Sequence, residues 1–413
     1  MCNPNSHTSY TADIEPKKYR LADFFNAWWD EYAKIPKEYI TAEQYKAVNS
    51  IRACRTPALG VDVYACKQCG EVSEIYHSCK NRFCPTCSWQ DTLKWADKIK
   101  GRMLALPHRH VVMTLPHQLH TLIKNNKKLL LNALFTASSD TFKNWMKQKH
   151  NIQPGIISVL HTYGETKQYH VHVHMIVSWG GICLNSGRLE EIEQEYVNFN
   201  FLKQEFREIF ISKLEEFYSN DKIRHDFRNR SDFDNFLNRL NRKKWIIHLE
   251  PPIEIPTEVI RYIGRYSKRA CLSEYKITKI QGEYISFRYK DYKTSTKGQK
   301  PEEKEIELHY RDFFPRLLQH VPVTYFRIAR YYGCYSHKST LPQEYLYQNQ
   351  EHEKDYDSFD CDLDIVDDEL ICKTCNIRKQ YQHTIVKKRN TGYTNIFRRA
   401  ILQLKNDVEK NAA

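Results

Sequence analysis

The sequence predicts an α+β fold with a small cysteine-rich domain ahead of its main body. Three observations carry this. Two pairs of β-rich runs are each joined by turn-like residues, as antiparallel hairpins are. Charged, helix-patterned stretches separate these pairs. A segment dense in cysteine and short of periodic elements precedes them.

Residues 1–48 form an N-terminal helical arm in which Phe24, Phe25, Trp28, Trp29 and Tyr32 make an aromatic docking stripe. Residues 49–95 form the metal-stapled domain. The stretch 91–106 reads as a helix that stops at Pro107, and 110–115 reads as a strand closed by Pro116. Residues 119–149 are helical, and 155–164 and 170–179 form a hairpin about the turn-like residues 164–168. A charged helical insertion spans 184–243, with a polar break near 219–233. Residues 244–250 read as a strand and 257–270 as a helix with Thr257 as N-cap. Residues 276–280 and 283–290 make the second hairpin. The main body therefore runs over 96–340, and 341–413 reads as a polar linker and tail.

The chain has 413 residues and 41% hydrophobic content, enough for two or three domains. Lys and Arg number 63 against 50 Asp and Glu, a net charge of +13, which favours a polyanionic partner. No run of ~18 apolar residues spans a bilayer, and residues 1–20 carry no apolar signal stretch. The expected setting is the bacterial cytoplasm, in association with the nucleoid and with no membrane partner. There the 13 cysteines stay reduced and are read as metal ligands before disulfides.

Cys66-Lys-Gln-Cys69 and Cys84-Pro-Thr-Cys87 are two CxxC knuckles at zinc-ribbon spacing, so they are expected to close one tetrahedral Zn²⁺ shell. Cys54, His77 and Cys79 are left to supply part of a second site or to be ordinary residues. Lys80 and Arg82 between the knuckles suggest DNA contact. Cys372-Lys-Thr-Cys375 has no second knuckle beside it, although Cys361 and His383 are near in sequence, and it reads as unmetallated.

His170-Val-His172-Val-His174 alternates strictly, which puts three imidazoles on one face of a strand and valines on the other. Such a face is a ready divalent-metal site, and His161 on the preceding run is the candidate third ligand. A third ligand with oxygen would favour Mg²⁺ or Mn²⁺, and a closed His-only shell zinc or a softer ion. Tyr262 and Tyr266 lie one helical turn apart, ringed by Arg261, Arg265, Lys268 and Arg269. Val259, Ile263 and Ala270 fall on about the same face, so spacing alone favours a core role for both tyrosines.

In this order the blocks resemble the rolling-circle insertion-sequence transposases of the two-tyrosine HUH superfamily. The cysteine block 54–87 looks like that family's zinc-binding domain, 110–119 its first core strand, and 160–177 its His-hydrophobic-His segment. Residues 245–252 and 262–269 look like its nucleophile segment, and 326–333 resembles a further block. The resemblance implies an HUH endonuclease core, an antiparallel sheet flanked by helices. It implies that His172 and His174 hold Mg²⁺ or Mn²⁺, and that Tyr262 or Tyr266 attacks single-stranded DNA at transposon ends and target site to leave a 5′-phosphotyrosine. The alternatives are a plasmid replication initiator or relaxase of the same superfamily, and a non-catalytic zinc-ribbon DNA-binding protein.

Overall fold

The computed structural model describes residues 19–35, 40–193, 197–254, 270–292, 301–347 and 370–386. Among them, helices α1 (Leu21–Tyr32) and α2 (Ala42–Ala53) precede strands β1 (Val61–Ala65) and β2 (Val72–Tyr76). Then come α3 (Pro85–Lys100), β3 (His108–Thr114), α4 (His120–Asn125) and α5 (Lys127–His150). β4 (Ile152–Tyr163), β5 (Tyr169–Cys183) and β6 (Leu189–Glu191) follow, then α6 (Phe199–Ser219), α7 (Arg230–Asn241) and β7 (Ile246–Ile253). The remainder is β8 (Ile277–Gln281), β9 (Tyr284–Asp291), β10 (Glu302–His309), α8 (Tyr310–Leu318), β11 (Ala329–Gly333) and β12 (Gln380–Ile385).

All strand pairings in the three sheets are antiparallel. The largest sheet runs β11-β4-β5-β3-β7, with β6 added at the end of β5. Its central strand β5 owes its place to its sequence. Val171, Val173, Met175 and Val177 point to one face and are fully buried. They pack in one core with Leu130, Leu134, Phe135 and Phe142 of α5 and Phe206, Phe210 and Leu214 of α6. Burying one such side chain is worth roughly 1.5–3 kcal/mol. Slipping β5 by one residue would expose all four, so the register is fixed by burial. The opposite face of β5 is thereby assigned to the histidines.

Local signals set the flanking helices. α5 ends at Asn151, whose φ of 57° is the left-handed cap conformation, and Lys147, Lys149 and His150 suit the negative helix end. Asn198 caps α6 through the backbone N–H groups of Asn200 and Phe201. The break between α6 and α7 falls inside the polar stretch that the sequence marks as one. α3 differs from the expected helix. It begins at Pro85, inside the cysteine cluster, and ends before Gly101. Proline has no N–H to leave unsatisfied at a first helical position, which favours this start.

A second core joins α1 to α8 and β9, elements far apart in the sequence. Phe24, Phe25, Trp29 and Tyr32 of α1 pack with Phe313, Phe314 and Leu317 of α8 and with Ile285 and Phe287 of β9. Phe314 stacks on Phe25 at 5.1 Å and meets Tyr32 edge-on at 5.2 Å. Strands β8, β9 and β10 form the sheet beneath. Within the stretch read from sequence as a polar linker and tail, Gln380–Ile385 form β12, which pairs with β1 in the N-terminal sheet β12-β1-β2.

Phe314→Ala removes the ring on which the aromatic arm converges. It is expected to cost about 3–5 kcal/mol, read as a lowered urea midpoint, with early proteolysis near α1. An unchanged midpoint would show that the arm is not held by this packing.

Candidate active site

The histidine face is built by three neighbouring strands. His161 of β4 lies directly opposite His172 of β5, and Val112 and Thr114 of β3 lie opposite His174 and His172. One ring nitrogen from each of His161, His172 and His174 falls within 4.8 Å of the others. The Nε2 atoms of His172 and His174 are 3.1 Å apart. Burial, reinforced by the neighbouring imidazoles, holds His172 and His174 well below the ordinary histidine range. Both are therefore neutral at pH 7 and present lone pairs, the state a metal requires.

The surroundings decide which nitrogen carries the proton. His172 Nδ1 lies 3.0 Å from the His170 carbonyl oxygen, which only accepts, so the proton is on Nδ1 and Nε2 is bare. His170 thus acts here through its backbone, and its ring lies outside the three-imidazole cluster. His174 Nδ1 lies 2.9 Å from Nε2 of His110, the residue on β3. Glu250 Oε1 of β7 lies 3.3 Å from His110 Nδ1, close but not aligned as a full hydrogen bond. The carboxylate favours a proton on His110 Nδ1, which makes His110 Nε2 the acceptor for His174 Nδ1–H. This chain aims the bare Nε2 of His174 at that of His172. Outer carboxylate–histidine partners orient metal-binding imidazoles in this way. The sequence reading missed His110 and Glu250. His110 stands at the end of a run read only as a strand, and alternation with Val112 and Thr114 is the signal that puts it on the histidine face.

The cysteines group differently from the expected single ribbon. Cys54, Cys79, Cys84 and Cys87 form one cluster, with Sγ separations of 3.5 Å for Cys54–Cys87, 3.6 Å for Cys79–Cys87 and 3.8 Å for Cys84–Cys54. Four sulfurs around zinc at about 2.3 Å require roughly this spacing. Cys66 and Cys69 cluster instead with Cys372 and Cys375. Cys69 and Cys372 sulfurs are 3.4 Å apart. The reading of Cys372 and Cys375 as a lone knuckle is therefore corrected: its second knuckle lies at the other end of the sequence. The two turn alike, with Gly70 N–H donating to the Cys66 carbonyl and Asn376 N–H to that of Cys372, at φ of 75° and 53°. Backbone N–H groups of Cys69 and Gln68 pull the Cys66 thiol down to about 7. His77 joins neither cluster: its Nε2 is 3.0 Å from Asp62 Oδ1 and its Nδ1 is 3.1 Å from the Leu59 carbonyl oxygen. His383 is a strand residue of β12 opposite Val63, and Cys361 lies outside the described residues.

Two family models match the chain. One, described as "Putative transposase", matches residues 155–341 and so contains β4, β5, β7 and β11. The other, a transposase zinc-binding domain, matches residues 24–115, including six of the eight clustered cysteines and strand β3. Together the two matches support a transposase with an N-terminal zinc-binding domain. It is 29% identical over 321 residues to a transposase of Sinorhizobium fredii, covering 76% of this chain and 79% of that one. It is 27% identical over 316 residues to the transposase for insertion sequence element IS801 of Pseudomonas savastanoi pv. phaseolicola, 73% of each. No solved structure matches the chain.

The tyrosine pair of this transposase, Tyr262 and Tyr266, lies outside the described residues, as do Thr257, Arg261, Arg265, Lys268 and Arg269. The residue that follows them is described. Ala270 donates its backbone N–H to Ser88 Oγ at 2.9 Å and lines a small cavity with His161, Tyr163 and His320. Arg82 lines the same cavity and donates from Nη1 to the Phe326 carbonyl at 3.1 Å, while Lys80 stands exposed on the turn before Cys84. No described helix of the transposase is long and apolar enough to cross a membrane.

Burial also pushes His108 down to about 4 and His320 down to about 3. Their folded pKa values lie below the unfolded value near 6.5, so the unfolded chain binds protons that the folded chain refuses. Stability is then full above pH 6.5 and is expected to fall as the pH drops from about 6.5 toward 4. Urea midpoints across that range test this, and a flat profile would contradict it.

Proposed function

We propose that this transposase nicks and rejoins single-stranded DNA by tyrosine attack on a phosphodiester held beside His161, His172 and His174. The observation that carries the reading is the convergence of three imidazoles on one face of the sheet, with His174 oriented by His110 and Glu250. The donor set is all nitrogen, which suits Mn²⁺ better than the oxygen-seeking Mg²⁺. An ion held there supplies Lewis-acid withdrawal of charge from the phosphate oxygens.

The protein's own groups do the rest. Tyr262 and Tyr266 are the proposed nucleophiles. Ala270, four positions beyond Tyr266 in sequence, borders the cavity that His161 lines, which supports an approach of that segment to the histidines. The phenolic oxygen of one tyrosine bonds to phosphorus and loses its proton. The bond from phosphorus to the 3′ oxygen breaks, and that oxygen leaves as a 3′-OH after taking up a proton. The 5′-phosphotyrosine keeps the bond energy for rejoining when a 3′-OH attacks it in turn. Arg261, Arg265, Lys268 and Arg269 are proposed to hold the backbone on either side, with Lys80 and Arg82 extending that contact.

We further propose that both cysteine clusters hold Zn²⁺, the closed four-sulfur shell being structural. The site of Cys54, Cys79, Cys84 and Cys87 anchors the start of α3. The site of Cys66, Cys69, Cys372 and Cys375 clasps the C-terminal β12 to β1.

A labelled single-stranded oligonucleotide carrying the element's end, incubated with the transposase and Mn²⁺, is expected to give a covalent protein–DNA band on a denaturing gel. The band should vanish in His172→Ala and in the double change Tyr262→Phe with Tyr266→Phe. Persistence of the band in the double variant would assign the nucleophile elsewhere. Elemental analysis is expected to find two zinc ions per purified chain and one in Cys372→Ser with Cys375→Ser. A single zinc in the unaltered chain would refute the clasp.

A further inference from the structure

A second cavity, of about 770 Å³, opens between the helix that leaves the cysteine cluster and the edge strand of the histidine sheet. That volume is within the range of pockets that enclose a small ligand. One wall is a single face of α3, where Asp91, Lys94, Trp95, Lys98 and Ile99 recur at helical spacing, continued by Arg102 in the turn just beyond the helix. The facing wall is β11 with the residues on either side of it: Arg327 before the strand, Tyr331 within it and His337 in the turn after it. Trp95 Nε1 donates to Tyr331 Oη at 2.6 Å, which ties the two walls together. The Tyr331 and His337 rings lie 5.3 Å apart at 64°.

The chemistry of this lining is specific. Lys94, Lys98, Arg102 and Arg327 are exposed, and Asp91 is the one carboxylate among the described residues that line the cavity. A cationic rim over aromatic rings is how sequence-tolerant sites take a phosphate and its unpaired base together. The position is specific as well. Ile157 forms part of the lining and stands four residues from His161 on β4, along a stretch of regular pairing. It therefore shares the histidine face of the sheet and lies about 13 Å along it. Arg82 lines both this cavity and the one beside His161, so basic lining links the two.

We infer that this cleft is a single-stranded DNA subsite, holding an unpaired nucleotide a few positions from the phosphate at the histidine cluster. It rests on the reading that the transposase acts on single strands. The cleft is pocket-sized and its rings lie inside it, so it fits a splayed nucleotide and not a duplex. Phosphates meet the exposed Lys94, Lys98, Arg102 and Arg327, and the base lies against Tyr331 and His337. The cysteine domain thereby becomes one wall of the substrate path.

The test measures equilibrium binding and not cleavage. Fluorescence anisotropy follows a labelled single-stranded oligonucleotide carrying the element's end, without added Mg²⁺ or Mn²⁺. Lys98→Ala with Arg102→Ala is expected to weaken binding at least tenfold at moderate salt. It should also reduce the slope of log affinity against log salt by about 1.4, or 0.7 per lost phosphate contact. His337→Ala should weaken binding several-fold with the slope unchanged, as loss of a stacking partner does. The control Lys128→Ala with Lys222→Ala removes the same charge from exposed positions elsewhere and should leave affinity nearly unchanged. A free mononucleotide should compete only at far higher concentration. Equal losses in control and cleft variants, an unaltered affinity in the cleft variant, or a mononucleotide that competes as well as the oligonucleotide would each overturn the inference. Loss of the covalent band in His172→Ala tests the cleavage reading, and the anisotropy of the cleft variants, measured without the divalent ion, tests the subsite, so failure of one and failure of the other are separable.

Discussion

The two-residue period of β5 is the constraint on which the rest of the molecule depends. Four apolar side chains on one face are fully buried against α5 and α6, and a slip of one residue would expose all four. That burial turns His172 and His174 to the opposite face without any further device. Antiparallel pairing then brings His161 opposite His172 from one side and the β3 strand of His110 from the other. The hydrophobic effect, acting on valine and methionine, thus positions imidazoles it never touches. Burial of their own rings keeps His172 and His174 neutral and so ready to donate lone pairs.

Around this sheet the chain is closed by long-range contacts. α1 reaches across to α8 through stacked aromatic rings, and Cys66 and Cys69 meet Cys372 and Cys375 from the far end of the sequence. Buried Lys379 reinforces the second cluster, lying 2.7 Å from Glu71 Oε1, while Glu71 Oε2 accepts from Cys372 at 2.9 Å. Metal-binding domain and histidine sheet are also joined: α3 starts in the first cysteine cluster and ends against β11. A transposase built this way presents its zinc-binding domain and its proposed nuclease face as one surface.

What was legible in the sequence was local. The histidine alternation, the hairpin that carries His161, and the polar break between α6 and α7 each rest on a period or turn signal within a few residues. What was not legible was distant or disguised. The cysteine pairing crosses 303 residues between Cys69 and Cys372, and two adjacent knuckles make a plausible ribbon that the fold does not use. β10 was missed because it is largely exposed and carries glutamate and lysine where a half-buried strand has alternating apolar residues. His110 and Glu250 were missed because each depends on a neighbouring strand's register, which no single segment encodes. His77 sits two residues from Cys79 yet pairs with Asp62, since proximity in sequence does not fix where a ring points.

The central claim is that three imidazoles on one sheet face hold a divalent ion. Pulsed electron paramagnetic resonance of the zinc-loaded protein with one equivalent of Mn²⁺ tests it most directly. The account predicts nitrogen couplings from histidine ligands that weaken in His161→Ala and are lost in His172→Ala with His174→Ala. A spectrum of fully hydrated Mn²⁺, with no nitrogen coupling in the unaltered protein, would contradict it.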